Sequence, residues 1–167
     1  MNAAEFWIER LRLEPLPEGG WYREVYRSPE QIAAVALPPR YRGGRSFSTS
    51  IYYLLKGGEV SFFHRLKSDE IWHFYQGCSL TIHCLGTDGR YSKICLGPDI
   101  RSGQLLQAMM PAGVWFGASP DDEKAYSLIG CTLSPGYDKR DFELASRAEL
   151  LGLFPAQSAI ILRLTKP

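Results

Sequence analysis

No apolar run in this chain approaches the roughly 20 residues that a membrane span requires; runs such as SIYYLL, residues 50–55, fall far short of it. Charge of one sign is missing as well. Nineteen lysines and arginines stand against 18 aspartates and glutamates, and no segment gathers the basic residues as a nucleic-acid face would. The opening MNAAEFWIERL carries acids where a secretory leader is basic and then apolar. Cysteine is sparse: Cys78, Cys84, Cys95 and Cys131 form no CxxC pair and no zinc-finger spacing, and four cysteines spread over this length are not a disulfide framework. Internal repeats, low-complexity tracts and linkers are absent too. Together these absences predict a soluble, cytoplasmic chain with reduced thiols in its core, no membrane and no nucleic-acid partner. The 167 residues fit a single domain, 1–167, with a hydrophobic core of its own.

What is present is turn chemistry and rings. Sixteen glycines, 11 prolines and 13% aromatic residues suit many short strands joined by tight turns. Between Trp21 and Leu133 the segments WYREVYRS, RSFSTSIYYLL, EVSFFHRL, EIWHFYQ, SLTIHCL, YSKICLG, QLLQAMMPAG, VWFGAS and YSLIGCTL all read as strands, and TDGR between two of them is a hairpin signal. Strands at this spacing predict a barrel or sandwich whose core covers about 20–135, not βαβ units. Before them, Phe6, Trp7, Leu11 and Leu13 fall at helical spacing, with Asn2 and Glu5 placed as a capping pair. After them, SRAELLGLF places Ser146 and Glu149 as a capping box, with Pro155 beyond the helix end. The turn-rich SPGYDKRDFE between barrel and helix predicts a loop closing the barrel mouth.

Parity then sorts the polar residues, because successive strand side chains point to opposite faces. Val60, Phe62, His64 and Leu66 share one face. Glu70, Trp72 and Phe74 share another, leaving Ile71, His73 and Tyr75 opposite. If the two apolar faces line the same interior, His64 and Glu70 converge. His83 falls with Ser79 and Thr81 on a polar face. Thr49 and Tyr53 go together with Phe47 and Ile51, while Ser46, Ser48, Ser50 and Tyr52 take the other side; the sequence does not decide which side looks inward.

The spacing Gly58, His64, Leu66, Glu70, Gly77 resembles, position by position, the first motif of the cupin superfamily, and Pro111-Ala112-Gly113-Val114-Trp115-Phe116 resembles its second. Leu66 and Phe116 stand where metal-binding cupins carry two further histidines. The segments PEGGWYREVYRS, FHRLKSDEIWHFYQG and SLIGCTLSPGYDKRDFELA are similar to one branch of single-domain cupins sometimes labelled predicted sugar epimerases. The resemblance implies an all-β double-stranded β-helix, a jelly-roll barrel with short N- and C-terminal helices.

For function it implies a small-molecule-binding cupin. The leading reading is a metal-independent sugar or sugar-nucleotide epimerase or isomerase, in which His64 is the base and Glu70 orients it. A metal-dependent enzyme such as a dioxygenase is one alternative, with His64 and Glu70 as the two remaining ligands of a divalent ion; such sites usually need three or four protein ligands. A non-catalytic or storage-like binding barrel is the other. Phe62, Trp72, Phe74, Trp115 and Phe116 are the expected ring-lined ligand wall, with Arg45, Thr49 and Tyr53 as polar contacts and Arg23 or Arg45 as fixed positive charge. Tyr52, Tyr53 and Tyr75 are candidate acids. The plainer reading makes His64 and Glu70 a satisfied polar pair in a barrel core and the rings ordinary packing. Barrel sheets of this type leave an edge, so the WYREVYRS strand is expected to pair with a second copy as a homodimer.

Overall fold

A computed structural model describes residues 3–167. Asn2, the expected helix cap, lies outside them. Helix α1 (Ala3–Leu11) leads into β1 (Glu14–Pro15), β2 (Trp21–Arg27), β3 (Gln31–Ile32), β4 (Arg45–Ser46), β5 (Thr49–Lys56), β6 (Ser61–Arg65), β7 (Glu70–Gly77), β8 (Leu80–Leu85), β9 (Tyr91–Leu96), β10 (Gln107–Met110), β11 (Trp115–Pro120), β12 (Tyr126–Leu133) and β13 (Glu143–Leu144). Helices α2 (Arg147–Leu153) and α3 (Ser158–Arg163) close the described chain.

Two antiparallel sheets form the body. One runs β1-β2-β5-β12-β7-β10 and the other β13-β6-β11-β8-β9, with β3 and β4 paired separately. This is the expected jelly roll; each segment read as a strand contributes one, except RSFSTSIYYLL, which divides into β4 and β5. The TDGR turn makes the hairpin between β8 and β9, which pair from Leu85↔Tyr91 to Leu80↔Leu96.

Alternation divides the apolar residues into three clusters. Between the sheets pack Tyr53, Leu55, Leu80, Ile82, Leu96, Met110, Phe116 and Ala118 among others. Outside the second sheet, Phe63, Leu85 and Trp115 bury against Leu150, Phe154 and Ile161 of the C-terminal helical segment. Outside the first, Leu54 and Leu128 receive α1. Each aliphatic side chain fully removed from water contributes about 1.5–3 kcal/mol, so the helices are held by packing and not by their own propensity. The capping box expected at α2 does not form: Ser146 occupies the cap position, but its side chain makes no capping hydrogen bond.

Three β-bulges re-aim side chains around the barrel. On β6, Ser61 and His64 oppose Ala118 and Phe116, so three residue steps face two and both Ser61 and His64 turn inward. On β2 the shift falls between Glu24 and Tyr26, and on β7 the ladder slips opposite Leu128 and Ile129. An extra residue changes the parity of everything beyond it.

Two glycines bring the chain across the barrel end. Gly19 and Gly20 have φ of +100° and +75°, values reached cheaply only without a Cβ. A Cβ on Gly19 would overlap the Val60 carbonyl oxygen, and one on Gly20 would stand 2.7 Å from the Tyr53 ring. The turn they make is stitched down by Phe62 N–H donating to Glu18 O at 2.7 Å and Tyr53 Oη donating to Gly19 O at 2.8 Å.

Candidate functional site

One end of the barrel interior is packed solid and the other is hollow. The hollow is a chamber of about 390 Å3. Its apolar wall includes Leu16, Ile51, Leu66, Leu133 and Phe142, and its polar groups are Glu18, Tyr22, Glu24, Arg27, Thr49, His64, Glu70 and Tyr137. A recess of about 20 Å3 continues inward between Tyr53, Ser61, Trp72 and Cys131, with His64 and Glu70 at the junction. Space of that size holds about one oxygen atom, since a single water needs about 10–15 Å3 by this measure.

His64 is 5% exposed and its ring is wedged beside Phe116, with centroids 4.3 Å apart, and Phe142, at 5.4 Å. Nδ1 lies 2.8 Å from Phe62 O. A carbonyl only accepts, so Nδ1 carries the hydrogen and Nε2 keeps the lone pair. Burial pulls the imidazole down from 6.5 to about 4, against the opposing pull of the Phe62 carbonyl. It is therefore neutral at ordinary pH, with the Nε2 lone pair unprotonated. The orienting contact expected from Glu70 comes instead from the backbone two residues away.

Glu70 is 6% exposed. Burial raises its carboxyl from 4.5 to about 7; the Glu18 charge adds to the rise, while Trp72 and Cys131 nearby oppose it. Burial likewise raises Glu18. Tyr137 is pushed up to about 12 by burial first and then by the charges of Glu18 and its neighbours. Carboxyls kept neutral can donate hydrogen bonds as well as accept them. Among the described residues, three buried side-chain atoms lack any partner: Ser61 Oγ, Glu70 Oε2 and Trp72 Nε1. All three belong to the wall of the recess.

The sequence-predicted residues separate into those the chamber collects and those it does not. His64, Glu70 and Thr49 wall it, Tyr53 and Trp72 wall only its inner recess, and Thr49 Oγ1 accepts from Tyr137 N at 2.8 Å. Phe116 stands behind His64 and Trp72 as support. Phe62 does not line the chamber: the β6 bulge takes it out of step with His64, and Lys166 Nζ sits 5.7 Å from its ring centre. Phe74 packs at the margin of the core. Trp115 faces the helices, covered by Arg65 at 4.3 Å.

Arg45 offers no free charge to a ligand. Its Nε and Nη2 each reach Asp141 at 2.6 Å, and Nη1 donates to the Gly43 and Gly44 carbonyls. Arg23 donates to Leu11 O. Of the candidate acids, Tyr53 is committed to Gly19 O, and Tyr52 stacks edge-on with Tyr75 outside the chamber. His73 bonds Thr132 and Gln107, and His83 bonds Tyr91.

Glu18, Tyr22, Ser61, Tyr137 and Phe142 escaped the sequence reading. Glu18 and Tyr22 sit on the PEGGWY turn, where the paired glycines were a signal of close backbone approach. Tyr137 and Phe142 come from the SPGYDKRDFE loop, read only as a closure. That loop is stapled to the β4–β5 stretch by Gly136 N to Ser46 O at 2.8 Å and by the Arg45–Asp141 fork.

A jelly roll enclosing a ligand-sized chamber, with His64 and Glu70 at motif positions on successive strands of opposite sheets, defines a cupin barrel. The chain belongs to the family described as Cupin superfamily (DUF985), which it matches over residues 5–145. It is similar to an uncharacterized protein of Saccharomyces cerevisiae, 32% identical over 135 residues, a match spanning 74% of this chain and 66% of the yeast one. Among solved structures, a hypothetical protein from Leishmania major superposes with a TM-score of 0.90 at 36% identity, covering 99% of this chain and 100% of that one. A protein from Shewanella oneidensis gives 0.88 at 40% identity, covering 100% and 99%. Oxalate decarboxylase from Bacillus subtilis gives 0.54 at 15% identity over 90% of this chain and 36% of the enzyme, a likeness of fold alone.

A metal held in the usual cupin manner does not fit these residues. Among the described residues, no three His, Cys, Asp or Glu side chains are grouped to hold an ion. Leu66 and Phe116, at the two further ligand positions, offer only carbon, and Phe116 packs against the His64 ring.

Proposed function

We propose that the chamber binds a small, uncharged, hydroxyl-bearing molecule of the carbohydrate class and that His64 acts on it as a general base, giving a metal-independent epimerase or isomerase. The observation that carries this reading is the state of His64: Nδ1–H is pinned to Phe62 O, Nε2 has no partner among the described residues, and the ring stands neutral at the chamber wall. A neutral imidazole with a fixed tautomer is suited to taking a proton from carbon next to a carbonyl. Glu70, with its carboxyl raised to about 7, is placed at the same junction to donate a hydrogen bond to the oxygen on which negative charge develops.

The charge of the wall supports a neutral ligand. Its acids are Glu18, Glu24 and Glu70, and its one cation, Arg27, is taken by Glu24 at 2.7 and 2.9 Å and by Tyr137 O. An anion would meet carboxyls with no available positive charge. Hydroxyl groups, which donate and accept, match the orphaned Ser61, Glu70 and Trp72 atoms.

Incubation in deuterium oxide with a panel of neutral aldoses and ketoses, followed by proton NMR, tests the reading. Loss of the signal from hydrogen next to the carbonyl is expected with the parent protein and absent with His64→Asn. Equal exchange in both would remove His64 as the base, and binding without exchange in either would leave the chamber as a binding site only.

A further inference from the structure

A wider cleft lies on the other side of Leu66 and Phe142, two residues that wall both it and the chamber. Its volume is about 750 Å3. Three separate segments bring cations to it: Arg40 and Arg42 from the loop before β4, Arg65 and Lys67 from the end of β6, and Arg140 from the turn after Asp138. Against these five cations the wall holds two carboxylates, Asp141 and Glu143. Both are engaged, Asp141 with Arg45 at 2.6 Å and Glu143 with Arg65 at 2.8 and 2.9 Å. Since the whole chain carries a net charge of only +1, the excess is local.

Part of this cluster is already rigid. Arg40 donates from Nε to Lys67 O at 2.8 Å and lies 4.8 Å over the Tyr41 ring. Arg140 is forked by Asp138 and donates from Nη1 to Arg42 O at 2.8 Å. Guanidinium groups fixed in this way bind an oxyanion with little further loss of side-chain freedom. Two cations are free or only loosely held. Among the described residues the Arg42 guanidinium has no hydrogen bond or ion pair, and Lys67 Nζ reaches only Asp141 Oδ1, at 3.7 Å, an oxygen already held by Arg45.

We infer that this cleft is a binding site for a phosphate group, with Arg42 and Lys67 neutralising its charge and Arg40 and Arg140 framing it. One free cation and one loosely held one match a dianion, and donors arriving from three directions suit a tetrahedral oxyanion. If the phosphate is esterified, its organic half lies along Leu66 and Phe142. The site uses no other residue of the chamber and stands whether or not His64 acts as a base.

Calorimetric titration of the intact chain with inorganic phosphate and with a hexose phosphate, at low and at physiological salt, tests it. Binding of both is expected, weakened by salt as exposed charge pairs are. Arg42→Ala and Lys67→Ala should each reduce the affinity about tenfold, the loss of one charge-assisted hydrogen bond. Arg101→Ala, which removes an exposed arginine from another turn, and His64→Asn should leave it unchanged. Tighter binding of the hexose phosphate assigns a phosphorylated metabolite, and equal affinities assign free phosphate. No binding of either, a loss in Arg101→Ala as large as in Arg42→Ala, or a loss confined to His64→Asn would overturn the site.

Discussion

At the scale of single residues, two buried titratable groups pull stability in opposite directions. His64 has an ordinary value of 6.5 and a folded one of about 4; between these the unfolded chain holds a proton that the folded one lacks, so stability climbs as pH rises. Glu70 has an ordinary value of 4.5 and a folded one of about 7; between these the folded chain holds the extra proton, so stability falls as pH rises. From about pH 4.5 to 6.5 the two slopes cancel, each near 1.4 kcal/mol per pH unit. Glu70→Gln should therefore leave stability rising with pH across this window, and His64→Asn should leave a slope well below that of Glu70→Gln. His83, lowered to about 4 by burial and by Lys93 and Arg163, adds the same upward slope to both variants and drops out of their difference. Urea denaturation of the two variants at several pH values reads the slopes directly. Parallel lines would show that neither group is in the ionisation state assigned to it.

At the scale of elements, strand parity made much of the site legible in the sequence. On β7 it placed Glu70 and Trp72 inside and Ile71 and His73 outside, as the register with β12 and the burial pattern show. On β6 it placed His64 correctly but paired it with Phe62 instead of Ser61, because a bulge adds a residue without leaving a glycine or proline to mark it. The loop residues Glu18, Tyr137 and Phe142 had no periodicity to read. They reach the chamber through backbone bonds to strands distant in sequence, such as Phe62 N to Glu18 O and Tyr137 N to Thr49 Oγ1. Arg45 was misjudged for a related reason: its carboxylate partner lies 96 residues away. Its side chain and that of Asp141 are 1% and 3% exposed. Removing one charge strands the other, so Arg45→Met alone should cost about 3–5 kcal/mol, read as a lower denaturation midpoint. A cost below about 1 kcal/mol would mean that the loop holds without its ion pair.

At the scale of the whole molecule, the barrel divides its labour between ends. Leu80, Ile82, Leu96 and Met110, all with no exposed surface, fill one end and supply the stability, which frees the other to stay hollow and to hold groups as costly as a lone buried carboxyl. No helix of the described residues is long and apolar enough to cross a membrane. The first sheet ends on the short β1, which pairs β2 only at Trp21 and Tyr22, leaving the stretch Arg23–Arg27 with an open edge. Pairing of that edge with a second copy would complete its ladder, and the expected result in sedimentation at micromolar concentration is twice the mass of one chain. A single-chain mass would mean that Arg23, Glu24 and Arg27 protect the edge by charge alone.

The Arg45–Asp141 fork also constrains how this sequence can drift. Either position changed first leaves a buried charge without its closest counterpart, while both changed together to matched apolar residues cost little. Relatives of this chain should therefore show the two positions switching as a couple, and a relative that has lost both should carry a different loop beneath its Phe142 counterpart. Inheritance at two distant points of the chain is tied by one contact.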